Sequence, residues 1–293
     1  IMNLEILIQN STVMGALTRV LTEEFKKSTE LTFNILRIFL SFSNFMEMHA
    51  LLAQYRVGML TIKVIEYEVK RWISKDDEKL EKDMKYENII KKAVETGDET
   101  AAYERIKKLK ENDNVKSRVS YKKQERTLFI AFYLLLNIAE DITVEKKMIN
   151  KNLLQYLEIM LERSDGNLLT LIVTFIKKLS IYNENKDLIG RSNIISKLGR
   201  FIPCSNTPLV QMTLQLLFNL SFDKRLREQM VTNGLVIKCR SLLKTSIYRG
   251  KTLKLLYHLS VDDLCKQIIG EGDGIPLIMG LVVNFPNPIL AKE

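Results

Sequence analysis

RTLFIAFYLLLNIAED, residues Arg126–Asp141, is the stretch that decides the fold of this chain. Its apolar residues recur on one helical face, and this pattern predicts a buried helix. The helix ends in the motif LLNIAED, which begins at Leu135. Related endings follow downstream: IKKLSIY from Ile176, LFNLSFD from Leu217 and LYHLSVD from Leu256. The chain therefore contains several copies of one long helix with a shared ending.

One polar position within this ending marks the period of the copies. It is occupied in turn by Asn137, Lys178, Asn219 and His258, which we call the ladder positions. Successive ladder positions are about forty residues apart. A period of that size in a helical chain predicts stacked helical repeats, in which each repeat packs only on its neighbours.

A second landmark has the same period. Medium-length helices are predicted to begin with an Asn or Gly residue, and a short helix precedes each one. These starting residues are Asn152, Asn193, Gly234 and Gly274. Two independent landmarks with one period predict an all-α fold with three helices in each repeat.

The N-terminal part follows the same plan. Ser28–Ser43 reads as another long helix with Ser28 as a candidate N-cap, and Val57–Trp72 reads as a further helix. We assign residues 1–74 to repeats, of which the first is incomplete. Residues 126–293 hold the remaining repeats, of which the last is incomplete. Both ends fall within the repeat pattern, which predicts that the sequence is part of a longer protein.

Residues 75–125 interrupt the pattern, because they are rich in Lys, Glu and Asp and poor in branched apolar residues. Ser41 and Asn137 occupy equivalent places, and the distance between them exceeds one period by about the length of this stretch. Opposite charges four residues apart, such as Glu78 and Lys82, favour helix. We predict a charged insertion that is helical or partly disordered. It is either a solvated spacer or a partner-binding arm.

Composition limits the function classes. The chain has 293 residues, 46% of them hydrophobic, and the longest apolar run is too short for a membrane span, so no membrane insertion is predicted. Three cysteines and two histidines make a metal site improbable, and the cysteines are expected to be reduced. No nucleophile with a base is evident, and Gly270–Gly274 lacks the context of a phosphate loop. We expect no enzyme activity, no cofactor and no small-molecule substrate.

The net charge of +9 favours acidic partners. Nucleic acid is one such partner, but the basic residues are spread along the chain without interleaved aromatic residues. We therefore predict no specific nucleic-acid binding. A nucleic-acid-binding solenoid would show a steep loss of affinity with added salt, which is a direct test of that alternative.

The three-helix unit, with its N-L-S ending, resembles the armadillo repeat. The runs YLLLNIAEDITVEKKMINKN, LQLLFNLSFDKRLREQMVTNGL and LLYHLSVDD are similar to the kinesin-associated protein family, the non-motor accessory subunits of heterotrimeric kinesins. The similarity covers nearly the whole chain and includes the place of the charged insertion. It implies an armadillo-repeat solenoid that acts as an adaptor in the cytoplasm, on the microtubule cytoskeleton and in the cilium. The implied partners are the tails of the kinesin motor subunits and cargo adaptor proteins.

In armadillo stacks the long third helices line a groove that holds peptides. We predict that the groove here is formed by the ladder positions and by the residues one helical turn before them. This candidate set is Tyr133, Asn137, Thr174, Lys178, Gln215, Asn219, Lys254 and His258.

Each type of residue in this set has more than one interpretation. The Asn side chains either hold a peptide backbone or bridge neighbouring repeats. Lys178 and Lys254 are suited to attract acidic groups. His258 has no second His or acidic cluster beside it, so a structural role is favoured over catalysis. Nuclear-import adaptors of this fold have Trp one turn before the ladder positions, and its absence here argues against basic nuclear localisation peptides. A different armadillo scaffold, catenin-like or importin-like, is the alternative.

Overall fold

The computed structural model describes residues 11–74, 84, 99–140 and 142–283, and their regular secondary structure consists of helices joined by turns and short loops. The chain divides into two compact units, Ile1–Tyr156 and Leu157–Glu293. Each unit is built from helices that pack side by side on their neighbours in the sequence.

The first unit contains a pair of packed long helices. Its helices, in order, are α1 (Ser11–Glu24), α2 (Thr29–Ser43), α3 (His49–Gln54), α4 (residues 57–74), α5 (Glu99–Ile138), α6 (Ile142–Ile149) and the start of α7 (Leu153–Met160). The predicted cap of α2 is confirmed, because the Ser28 side chain accepts a hydrogen bond from the Leu31 amide at 3.2 Å. Helix α2 packs against α5, with Phe39 and Phe132 fully buried.

Helix α5 crosses the predicted end of the charged insertion without a break. The sequence analysis placed the insertion at residues 75–125 and a new helix from Arg126, whereas the structure has one helix of 40 residues. The stretch before Arg126 is rich in Lys, Glu and Arg, which are good helix formers, and it contains no Gly or Pro. Residues 75–83 and 85–98, the rest of the predicted insertion, lie outside the described residues.

A buried polar cluster joins α4 to α5 near that boundary. The Gln124 amide donates to the Glu68 backbone carbonyl at 2.8 Å and to its carboxylate at 3.0 Å. The Arg71 guanidinium pairs with the same carboxylate at 2.6 Å. Since only 1% of Glu68 is exposed, these partners offset part of the cost of removing its charge from water, through one of its two carboxylate oxygens, Oε2.

The second unit repeats the order short, medium and long. After the end of α7 its helices are α8 (Gly166–Leu179), α9 (Asn183–Gly190), α10 (Ile194–Leu198), α11 (Thr207–Leu220), α12 (Lys224–Thr232), α13 (Leu235–Ser241), α14 (Ser246–Leu259), α15 (Asp263–Gly270) and α16 (Gly274–Val283). The three long helices α8, α11 and α14 have 14 residues each, and α11 packs against both of the others. The four predicted short helices are all present, as α6, α9, α12 and α15.

The junctions before the medium helices differ in detail from the prediction. Asn152 and Gly234 adopt left-handed backbone conformations, with φ of 62° and 67°. Asn193 does not, and its side chain caps nothing. Instead, the Ser192 hydroxyl accepts the Ile194 amide hydrogen bond at 3.3 Å. Asn152 therefore contributes a left-handed backbone conformation to its junction. The cap predicted at Asn193 is not formed by its side chain.

All three cysteines are free, as predicted. Cys239 and Cys265 are buried, and Cys204 is half-buried. Burial raises the pKa of the Cys239 thiol to about 12, and it also raises the pKa of Cys265. Both are therefore thiols rather than reactive thiolates at neutral pH.

Candidate partner-binding site

The long helices of the second unit hold their ladder residues in register because their ends coincide. The side chains of Asp165 and Asn206 cap the starts of α8 and α11. A serine follows the last residue of each long helix, namely Ser180, Ser221 and Ser260. Equal lengths between these ends place Lys178, Asn219 and His258 in equivalent positions of the last helical turn.

Asn219 bridges α11 to the end of α8. Its side-chain amide donates to the Ser180 hydroxyl at 3.2 Å and to the Lys177 carbonyl at 3.3 Å. The Ser180 hydroxyl in turn donates to the same carbonyl at 2.6 Å. The amide nitrogen of Asn219 is therefore used within the protein, and its carbonyl oxygen is the part that can accept a hydrogen bond from a partner.

His258 makes the equivalent contact one repeat later. Its Nδ1 lies 3.0 Å from the Ser221 hydroxyl. The imidazole also contacts the Phe222 ring, with 4.0 Å between the ring centroids. These contacts support the structural role that the sequence analysis favoured for His258.

Asn137 makes the same type of bridge in the first unit. Its side-chain amide donates to the Ser43 hydroxyl at 3.0 Å and to the Asn44 side-chain oxygen at 3.1 Å. Both residues lie at the end of α2, the preceding long helix. The same pairing of ladder residue and serine thus occurs in both units.

The residues one turn before the ladder positions have varied surroundings. Thr174 donates to the Thr170 carbonyl at 2.7 Å, within its own helix. Gln215 accepts a hydrogen bond from Lys177 at 3.1 Å, which joins α8 to α11. Tyr133, in the first unit, packs edge-on against Phe129. Lys254 is exposed, and Lys178 is half-buried.

The structure therefore brings Gln215 and Asn219 into contact with α8, and His258 into contact with α11. Four inter-repeat partners were not predicted from the sequence, namely Ser43, Lys177, Ser180 and Ser221. A readable signal for the serines was present, because each lies two residues after a ladder-type position in the repeated ending. Peptide binding by the candidate set stays a prediction.

Two of the three long helices of the second unit are basic, and the third, α11, has no charged residue. Helices α8, α11 and α14 contain no Asp or Glu. Their charged residues are Lys177, Lys178, Arg249, Lys251 and Lys254. A surface with one sign of charge favours partners of the opposite sign.

A metal-binding cluster and a membrane-spanning helix are two other kinds of functional feature. Within the part of the chain that the structure describes, no group of three or more His, Cys, Asp or Glu side chains is placed to hold a metal ion. No single described helix is long and apolar enough to cross a membrane; Thr29–Ser43 and Met46–Gln54 pass that test only as a pair bent by 117°.

Comparison with solved structures shows the fold. A designed armadillo repeat protein is similar over 94% of this chain and 95% of its own, with a TM-score of 0.63 at 12% identity. An engineered protein is similar over 95% of this chain and 92% of its own, with a TM-score of 0.60 at 10% identity. The predicted all-α armadillo fold is confirmed.

A third similar structure contains a ligand. It is a designed armadillo repeat protein in complex with the peptide (KR)4, and it matches over 70% of this chain and 94% of its own, with a TM-score of 0.51 at 12% identity. Among protein families, the family described as Kinesin-associated protein (KAP) matches residues 2–291.

Proposed function

This chain belongs to the kinesin-associated protein family, and we propose from that premise that it is a non-catalytic scaffold subunit of a heterotrimeric kinesin motor. It binds the tails of the motor subunits and links them to cargo adaptor proteins for microtubule-based transport, including transport within the cilium. Its place is the cytoplasm and the microtubule cytoskeleton. The match of the family over residues 2–291 is the observation that carries this proposal.

The long helices of the second unit supply the proposed binding surface. Helix faces in stacked repeats bind peptides through regularly spaced side chains. Lys178 and Lys254 supply positive charge, and the Asn219 side-chain oxygen supplies a hydrogen-bond acceptor. In the first unit, Tyr133 and Asn137 are the corresponding candidates.

The designed armadillo protein in complex with (KR)4 supports peptide binding by this fold, but the charge of its ligand is opposite to the one expected for a partner of this chain. Its ligand is basic, whereas the charged residues on the long helices of the second unit are all basic. Like charges repel across an interface, so the motor-tail segment that binds this chain is expected to be acidic.

The test is a titration of this chain with purified tail segments of a heterotrimeric kinesin at two salt concentrations, followed by fluorescence anisotropy. We expect saturable binding that weakens with salt and weakens about tenfold in Lys254→Glu, since a reversed charge at an interface costs on the order of 1.4 kcal/mol or more. Arg191→Glu is the matched control, because Arg191 is exposed in the turn after α9, outside the long helices. Absence of binding to every tail segment contradicts the proposal.

A different armadillo scaffold, catenin-like or importin-like, is the second candidate. The side-chain oxygens of Asn137 and Asn219, whose amide nitrogens join repeats, are suited to peptides in general and carry no preference for kinesin tails. Binding of a cadherin tail or a nuclear localisation peptide more tightly than of any kinesin tail would support this candidate.

A further inference from the structure

An apolar residue follows each serine that ends a long helix of the second unit. These residues are Ile181, Phe222 and Val261, which we call the apolar row, and their exposed fractions are 64%, 56% and 66%. In the first unit the equivalent positions hold Asn44 and Glu140. The apolar row is therefore a property of the second unit and not a general requirement of the repeat ending.

The exposure of Phe222, the middle residue of the row, is not explained by an absent neighbour. Phe222 lies at the end of α11, which has α8 packed on one side and α14 on the other. It is nevertheless more than half exposed. Phe222 is thus a large apolar side chain that neighbouring repeats leave uncovered, and two other exposed apolar side chains occupy the equivalent places in the repeats before and after it. Exposed apolar side chains grouped in this way are a feature of binding surfaces.

The Phe222 ring is held in a defined position. It contacts the Phe218 ring edge-on at 5.3 Å and the His258 ring at 4.0 Å between centroids. The Lys186 ammonium lies 5.7 Å from its centroid, within the range of a cation–π contact. An aromatic side chain that is fixed before binding loses little conformational entropy on binding, and such side chains often supply much of the affinity of an interface.

The charges beside the row point to an acidic partner. Of the long helices that end at the row, α8 and α14 have basic residues, and none of the three has an acidic one. Asp223 and Asp262, next to the row, are already engaged: Asp223 accepts the Leu226 amide at 3.1 Å, and Asp262 pairs with Arg227. The five basic residues of α8 and α14 outnumber these two carboxylates, so the charge along this surface is mainly positive.

We propose that the apolar row and the basic long helices form one docking surface for an acidic peptide segment with aliphatic or aromatic side chains. The apolar side chains of that segment contact Ile181, Phe222 and Val261, and its carboxylates face Lys178 and Lys254. Packed helices lie about 8–10 Å apart, so the row spans about 16–20 Å and needs only a short segment. This inference rests on the proposed role of these helices in partner binding and names the chemistry of the partner.

The test is selection of peptides from a phage-displayed library of random 16-residue sequences on the whole chain. We expect enrichment of peptides with net negative charge and at least two large apolar residues. Enrichment of basic or uncharged peptides, or no enrichment, overturns the proposal.

The strongest selected peptide is then synthesised with a fluorescent label, and its affinity is measured by anisotropy. Phe222→Ser is expected to weaken binding about tenfold, in line with the loss of a central aromatic contact. Ile181→Ser is an independent second variant. Ile237→Ser is the matched control, because Ile237 is 51% exposed on the medium helix α13. Equal affinity for the wild type and both row variants overturns the proposal.

The same variants separate this inference from the proposed function. If kinesin tails bind wild type and both row variants equally, the scaffold role stands and the apolar row is not the docking surface. If selected acidic peptides bind at the row but no kinesin tail binds, the docking surface stands and the motor role fails.

Discussion

The side-chain amide of Asn219 donates to the Ser180 hydroxyl at 3.2 Å and so joins the ends of two successive long helices. The Asn137 amide has the same relationship to Ser43, and the His258 imidazole shares a hydrogen bond with the Ser221 hydroxyl. The polar side chain in the repeated ending therefore connects one repeat to the next. Only the atoms that this connection does not use, such as the side-chain oxygen of Asn219, can bind a partner.

Our first prediction concerns this connection. Asn219→Ala and Ser180→Ala are each expected to lower the free energy of unfolding by about 1 kcal/mol, because each removes a half-buried hydrogen bond. The double variant is expected to lose less unfolding free energy than the sum of the two single losses, with a coupling energy of about 0.5–1 kcal/mol. Urea unfolding of the wild type, the two single variants and the double variant measures this coupling energy. If the losses in the two single variants add up to the loss in the double variant, the structural role of this hydrogen bond is contradicted.

The Arg227–Asp262 ion pair predicts a pH dependence of stability. Arg227 lies on α12, Asp262 precedes α15, and the Arg227 guanidinium also donates to the Ser221 carbonyl at 2.7 Å. The hydrogen bond from Arg227, and then its charge, lower the pKa of the Asp262 carboxyl. Because the pKa is lower in the folded state, the stabilisation is present above the unfolded pKa of about 4 and is lost as the pH falls through the folded value.

Asp262→Asn is therefore expected to lower the free energy of unfolding by about 1–3 kcal/mol at pH 7. The difference in unfolding free energy between Asp262→Asn and the wild type should stay constant between about pH 7 and pH 5, and it should shrink below about pH 4. The control is Asp187→Asn, which breaks the exposed Arg225–Asp187 pair and should cost less than about 1 kcal/mol. A cost for Asp262→Asn that grows as the pH falls would contradict the assignment.

The left-handed backbone at Gly234 predicts that the protein is more stable with Asn at this position than with Ala. A Cβ atom at Gly234 would meet no atom within 4 Å, so the cost of a side chain there comes from its φ of 67° and not from crowding. Gly234→Ala should lower the free energy of unfolding by about 1–2 kcal/mol. Gly234→Asn should lower it less, since Asn tolerates this conformation and Asn152 adopts it at the equivalent junction. Thermal unfolding of the two variants measures the difference.

The cysteines predict a stepwise reaction with a thiol reagent. At pH 8 under native conditions Cys204 should react first, because it is half-buried and the other two are buried. Cys239, with a pKa raised to about 12, and Cys265 should react only as the surrounding helices open. Mass spectrometry of digested samples identifies the order. Rapid reaction of Cys239 would show that α13 opens readily.

Much of the architecture was predictable because it depends on local signals. The repeated ending set the ends of α8, α11 and α14, and Pro208 lies in the first turn of α11, as expected for a residue without an amide hydrogen. The continuous helix through residue 125 was not predicted. Charge composition suggested a boundary there, but helix propensity does not change at Arg126, so nothing in the backbone ends the helix.

The candidate site was predictable in position and less so in chemistry. The period located Asn219 and His258, but their partners Ser180 and Ser221 lie in the preceding repeat and depend on how neighbouring helices align. The apolar row could have been found from the sequence, because Ile181, Phe222 and Val261 each follow the serine of the ending. Apolar residues at helix ends are usually assigned to the core, and only the exposed fractions distinguish these.

The short reach of the contacts between repeats has a consequence for synthesis on the ribosome. In the second unit, the side-chain hydrogen bonds between repeats join residues 28 to 42 positions apart, from Arg240–Ile268 to Asn219–Lys177. At about 5–20 residues per second, a new repeat of that length emerges every few seconds. Helices form in about a microsecond, so each repeat has time to dock on its predecessor before the next appears. We therefore expect vectorial, co-translational folding of this unit, in which ribosome-bound chains stalled after successive repeats acquire protease resistance one repeat at a time.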